Sequence, residues 1–126
     1  MKSFANKRVL VVDDSETVRM FIFFHLIKLL PGAQLIEAVN GVDALEKLKQ
    51  QDCDLVLTDM NMPEMDGAGF IRAVRNELKK DMPIIVITTK GEQKDREQGL
   101  ALGANGYITK PLNIFKFRET ILKYFL

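Results

Sequence analysis

The chain has 126 residues, 47% hydrophobic and 28% charged, with 18 Lys and Arg against 17 Asp and Glu. That is the size and make-up of one globular domain, and it excludes disorder, collagen-like repeats and coiled coil. A net charge of +1 gives no electrostatic grip on nucleic acid, and one cysteine with one histidine builds neither an internal disulfide nor a zinc site. The lone Cys53 suits a reducing cytoplasm. After basic Lys2, Lys7 and Arg8 only four apolar residues, Val9 to Val12, precede two aspartates, too short a run for a signal peptide, and the longest apolar stretch, Met20 to Leu30, is broken by His25 and Lys28. The expectation is a cytoplasmic single domain over residues 1–126, without output domain, nucleic-acid partner or membrane insertion.

In chain order, Val9–Val12 predicts a first strand and Glu16–Leu30 a helix entered through a Ser/Asp cap. Gln34–Val39 is a weaker strand, followed by a helix over Val42–Gln51 that carries Leu45 and Leu48. Leu55–Leu57 predicts the third strand and Ala68–Lys80, with Phe70, Ile71, Val74 and Leu78, the third helix. Ile84–Ile87 is the fourth strand, Gln93–Leu102 a polar helix, Tyr107–Thr109 a short fifth strand and Ile114–Phe125 a last helix. Uninterrupted β-branched runs of this length suit strands buried on both faces. Strict alternation therefore predicts an α/β domain, five parallel strands flanked by five helices. Ligands of such sheets bind beyond the carboxyl ends of the strands.

Four strand ends carry chemistry. The first runs into Asp13-Asp14, the third into Thr58-Asp59, the fourth into Thr88-Thr89 and the fifth into Lys110-Pro111. Three carboxylates on one rim repel unless a hard divalent cation sits among them, and Mg²⁺ favours a few carboxylates with waters and phosphate oxygens. With an opposed lysine and a hydroxyl, the set reads as a phosphoryl-handling site. Taken singly, each piece is a common turn or strand-exit signal; their convergence carries the reading.

The segments Val9–Ser15, Asp54–Gly67, Ile87-Thr88 and Gly106–Pro111 resemble the response-regulator receiver family, in its single-domain, CheY-like form, across essentially the whole chain. The resemblance implies the flavodoxin/CheY-like strand order 2-1-3-4-5, of which CheY is itself a standard example. It also implies a two-component phosphorelay protein, a switch that catalyses only its own phosphorylation and dephosphorylation. Asp59 would be the phosphoacceptor; Asp13, Asp14, Asp59 and the Asn61 carbonyl would hold Mg²⁺. Thr88 would bond the phosphoryl group, Lys110 would pair with it, and Pro111 would follow a cis peptide. Tyr107 would turn inward as Thr88 moves. The implied partners are a histidine kinase or histidine phosphotransfer protein and a downstream protein target or homodimer. The alternatives are a small aspartyl-phosphate-forming phosphohydrolase, a flavodoxin-like binding module and a receiver that takes no phosphate. Asn61 where such hydrolases carry a second acid, the Asp13-Asp14 pair and the complete site set argue against them in turn.

Three features depart from the pattern. Thr89 stands where the family has a very small residue, which predicts slower entry of donor or water. Lys90 stands where the chemotaxis type carries an acid, and the resemblance implies that this position, with Asn61, borders the path of the hydrolytic water. On the first helix, Met20, Phe23, Phe24 and Ile27 make a second apolar stripe opposite Val18, Ile22 and Leu29, and predict a partner surface. Receivers commonly dock their phosphodonor protein along this helix; the alternative cover is long Lys and Arg stems or the Tyr124-Phe125-Leu126 tail. His25 is expected at the core edge, Cys53 inside, and Glu64, Asp66 and Gly67 in the loop that starts the third helix.

Overall fold

A computed structural model describes residues 3–89 and 93–125. The strands are β1 (Arg8–Val12), β2 (Gln34–Ala38), β3 (Leu55–Asp59), β4 (Ile84–Thr89) and β5 (Gly106–Lys110). Between and after them lie α1 (Glu16–Leu29), α2 (Gly41–Gln50), α3 (Gly67–Arg72), α4 (Gln93–Leu102) and α5 (Ile114–Leu122). All strand pairs are parallel, in the order β2-β1-β3-β4-β5.

Alternation of side chains along each strand divides the apolar runs between two layers. Leu10, Val12, Val56 and Val86 join Ala44 and Leu48 of α2 and Phe70 and Ile71 of α3 on one face. Val9, Val11, Leu57 and Ile85 join Ile22 and Leu26 of α1 and Phe117 and Ile121 of α5 on the other. These strand residues are at most 1% exposed. Each contributes roughly 1.5–3 kcal/mol by burial, so the sheet's centre is a rigid base for its rim.

Local chemistry starts the helices. The Ser15 hydroxyl accepts from Val18 N at 3.2 Å, while Ser15 N donates to Asp13 Oδ1 at 2.8 Å. The start of α1 and the first aspartate are thus one hydrogen-bonded unit. Asn40 caps α2 by accepting from Asp43 N, and Asp66 caps α3 by accepting from Gly69 N at 2.8 Å.

Two helices differ from the sequence expectation. The third is not one α-helix over Ala68–Lys80: α3 gives way to a π-helical turn at Ala73–Glu77. Leu78 N bonds back to Ala73 O, five residues earlier, and Lys79 takes a left-handed φ of 55°. Arg75 holds this end, donating to Lys80 O, Gly103 O and Asn105 Oδ1. Gly103 and Asn105 are 28 and 30 residues away in sequence, so periodicity does not reveal them. The last helix stops at Leu122 instead of Phe125, because Phe125 packs edge-on against Phe4 with ring centroids 5.9 Å apart. Phe4, ahead of the first strand, is 6% exposed and joins the core.

Candidate functional site

The strand order sets β1, β3, β4 and β5 side by side, so their carboxyl ends meet on one rim. Asp59 lies opposite Ile87, and Thr88 and Thr89 lie opposite Thr109 and Lys110. Asp13, the residue after β1, is 2% exposed. Its Oδ1 is taken by Ser15 N, and its Oδ2 is buried without a hydrogen-bond partner among the described residues. Lys110 Nζ stands 3.5 Å from that oxygen and 3.7 Å from Asp59 Oδ2, an ion-pair distance to both rather than a hydrogen bond to either.

Asp59 is oriented by the backbone of its own loop. Its Oδ1 accepts from Met60 N at 2.7 Å and Asn61 N at 3.4 Å, which leaves Oδ2 toward Lys110. Burial raises its pKa above the ordinary carboxylate range; Lys110 opposes this and the Asp13 charge adds to it. Thr58 Oγ1 donates to Asp59 O at 2.8 Å. Gly67 lets α3 begin hard against the site: a Cβ there would lie 2.4 Å from Asp59 O and 2.7 Å from Met60 Cα. Thr88 is 1% exposed, and its Oγ1 has no hydrogen-bond partner among the described residues.

The donor set fits a hard divalent cation. Carboxylate oxygens of Asp13, Asp14 and Asp59 lie within 4.8 Å of one another, and among the described residues three negative charges face one ammonium. Asp13 Oδ2 is buried with no hydrogen bond among the described residues and shares the Lys110 ammonium with Asp59, so it suits such a partner. Asp14 is exposed and opens the cluster to solvent. Asn61 follows in the same loop; its Nδ2 donates to Asp95 Oδ2 of α4 at 3.0 Å.

Of the remaining sequence candidates, Thr89 is exposed at the end of β4, the Lys110–Pro111 peptide is cis, and Lys90 lies outside the described residues. Tyr107 points outward, 44% exposed, with the Arg96 guanidinium 4.9 Å from its ring centroid. A cavity of about 790 Å³ opens beside it, lined by Arg96, Tyr107, Lys110, Lys116 and Glu119 among others. His25 sits among the rings of Phe21, Phe24 and Phe117. Cys53 is buried, and burial pushes its thiol up to about 11.

The apolar stripe of α1 needs one correction. Phe23 is half-buried against the core, and Phe21 takes its place outside: the exposed set is Met20, Phe21, Phe24 and Ile27. The buried side of α1 centres on Arg19, Ile22 and Leu26, which places position 23 on its flank. Arg19 itself is absent from the sequence reading. It is 8% exposed, donating from Nη1 to Asp13 O and from Nε to Glu37 Oε1, both at 2.7 Å. An arginine three and seven residues ahead of Ile22 and Leu26 on the apolar side is the signal that could have found it.

A doubly wound sheet with a lysine-backed acidic pocket at its topological switch defines a class of phosphate-handling α/β domains. Comparison with known proteins narrows it. The family model described as "Response regulator receiver domain" matches residues 9–122, so the chain belongs to the receiver family. It is 43% identical over 116 residues to a chemotaxis protein CheY homolog of Campylobacter jejuni, covering 90% of this chain and 88% of that protein. Against the chemotaxis protein CheY1 of Helicobacter pylori it is 42% identical over 116 residues, with 90% and 93% covered. The solved structure of the chemotaxis response regulator CheY4 of Vibrio cholerae superposes with a TM-score of 0.83 at 33% identity, over 94% of this chain and 98% of that one. The chain is a CheY-like receiver domain of the two-component type, a signalling class that uses Mg²⁺ at an acidic pocket. Among the described residues no helix is long and apolar enough to cross a membrane.

Proposed function

We infer that this chain accepts a phosphoryl group on Asp59 from a phosphohistidine of a histidine kinase or phosphotransfer protein, in a Mg²⁺-dependent reaction, and thereby switches a protein-binding face. The observation that carries the reading is the state of the two carboxylates. Asp59 has one oxygen tied to backbone N–H groups and the other turned to Lys110, beside an Asp13 oxygen that lacks a hydrogen-bond partner among the described residues.

Asp59 Oδ2 is the nucleophile: its bond to phosphorus forms as the phosphorus–nitrogen bond of the donor breaks and the imidazole leaves. The Met60 and Asn61 N–H groups keep Oδ1 out of the way and fix the carboxylate plane. The Lys110 ammonium balances charge on the transferring group, and Thr88 Oγ1 donates a hydrogen bond to it once it is in place. Asp13, Asp14, Asp59 and the Asn61 carbonyl would hold Mg²⁺, which supplies charge neutralisation for the phosphoryl oxygens.

Thr88 and Tyr107 then act as the switch. A phosphoryl group that draws Thr88 Oγ1 inward vacates space beneath β5, and the Tyr107 ring moves from its place under Arg96 into it. That reshapes the cavity between α4, β5 and α5, where a downstream protein would bind. The names of the relatives favour chemotaxis as the process, and the single free thiol suits the cytoplasm.

The test is intact mass after incubation with acetyl phosphate and Mg²⁺, for the wild type and Asp59→Asn. The expected result is one phosphoryl adduct that needs Mg²⁺ and is lost in the variant. Multiple turnover on a phosphomonoester, or an adduct that survives Asp59→Asn, overturns the reading.

A further inference from the structure

The exposed positions of α1 are Glu16, Thr17, Met20, Phe21, Phe24, Ile27 and Lys28. Four are large and apolar, with Met20 64%, Phe24 54% and Ile27 62% exposed. Phe125 packs against Phe4, and Leu126 lies outside the described residues. The Lys28 ammonium, 4.3 Å from the Phe24 centroid, covers part of one ring. The rest is a patch that a monomer seldom leaves to water.

The order of these residues identifies what covers it. The acid stands at the first turn, the base at the last, and the apolar residues between them. When a second α1 is laid antiparallel across the first, with the twofold axis at the level of Ile22, six of the seven exposed positions match pairwise, and Phe21 falls opposite the half-buried Phe23. Glu16 meets Lys28, Thr17 meets Ile27, and Met20 meets Phe24, each contact occurring twice. That is the self-complementarity a twofold interface demands. The ion pairs fall at the two rims, about 18 Å apart at the 1.5 Å rise of a helix, and the apolar residues at the centre. Opposed helix dipoles favour the same arrangement.

We propose that the outer face of α1 is a homodimer interface, formed with a second copy of this chain by antiparallel, twofold packing of the two helices. The four apolar side chains expose on the order of 400 Å² per copy, so two copies bury roughly 800 Å², below the area of permanent complexes. The dimer is therefore reversible and concentration-dependent. It needs no phosphoryl group, so its test stands apart from that of the Asp59 reading.

The experiment is sedimentation velocity over a protein concentration series, with far-UV circular dichroism as the check on folding. The wild type and Asp59→Asn should shift together from monomer to dimer as concentration rises. Phe24→Glu should weaken association at least tenfold while leaving the Asp59 adduct intact. Glu16→Lys and Lys28→Glu should each weaken it several-fold. Mixing those two variants should restore it, because both rim pairs become Lys with Glu. A wild type that stays monomeric at its highest soluble concentration overturns the proposal, and capture of a phosphodonor protein by the same face in that case assigns it to a different partner. Dimers that are indifferent to Phe24→Glu, or charge variants that fail to rescue each other, overturn the antiparallel α1 geometry.

Discussion

Replacing Asp13 by Asn should stabilise the Mg²⁺-free protein and remove its response to Mg²⁺. The Asp13, Asp14 and Asp59 oxygens lie within 4.8 Å of one another. At an effective dielectric constant near 20, each such pair repels by at least about 3.5 kcal/mol. The Lys110 ammonium, 3.5 Å from Asp13 Oδ2, returns roughly 4.7 kcal/mol on the same scale. Asp14 is exposed and its share is screened. Unscreened, the two repulsions exceed the attraction by about 2.3 kcal/mol; screening of the Asp14 share cuts the net relief on removing the Asp13 charge to no more than about 1 kcal/mol, a rise of up to about 4 °C in Tm for a domain of this size. The asparagine keeps the bond from Ser15 N. With Mg²⁺ at a hundred times its Kd, the wild type gains about 2.7 kcal/mol and the variant far less, so their order of stability reverses.

The pH dependence follows from Asp59. Its folded pKa is raised by burial and by the Asp13 charge, so the folded state holds that proton more tightly than the unfolded chain. The resulting penalty is full above the folded value and fades as pH falls toward the ordinary carboxylate range. In Asp13→Asn the dependence should shrink. Differential scanning calorimetry at several pH values, with EDTA or Mg²⁺, measures all of this. A variant less stable than the wild type in EDTA, or one with an undiminished Mg²⁺ response, refutes the electrostatic account of the pocket.

Arg19→Met should cost about 2–4 kcal/mol, since it removes two charge-assisted bonds and leaves Asp13 O without its donor, whereas Glu37→Ala, at the 54% exposed end of that pair, should cost under about 1 kcal/mol. Urea melts that reverse this order would show that the Asp13 contact is not what holds Arg19 inside. Thr89→Ala, by clearing the exposed end of β4, should speed both phosphorylation by acetyl phosphate and loss of the phosphoryl group several-fold; unchanged rates remove Thr89 as a screen. The Cys53 thiol, raised from 9.0 to about 11 by burial, penalises the thiolate in the folded state. Relative to Cys53→Val, the wild type should lose stability as pH climbs from 9 through 11, by about 2 kcal/mol. A flat difference between the two melting curves across that range rules this out.

The α/β class and the order of elements were legible in the sequence because strands buried on both faces must read as uninterrupted apolar runs, as Val9–Val12 and Ile84–Ile87 do. The chemical groups at the strand ends were legible for a similar reason: Asp13, Asp14, Asp59, Thr88 and Lys110 each follow or end such a run, and parallel strands deliver all their carboxyl ends to one rim. Strand order was not available from periodicity, which carries no information on which strand lies beside which; it came only with the family resemblance. Tertiary structure alone decided features that depend on residues far apart in the chain. Arg75 ends the third helix through Gly103 and Asn105, Phe125 leaves α5 for Phe4, and Arg19 turns inward because Asp13 O and Glu37 wait there. The exchange of Phe21 for Phe23 on the outer face of α1 has the same origin. Helical spacing names a stripe to within one position, and only the neighbouring α5 and the sheet settle which of two adjacent phenylalanines is covered.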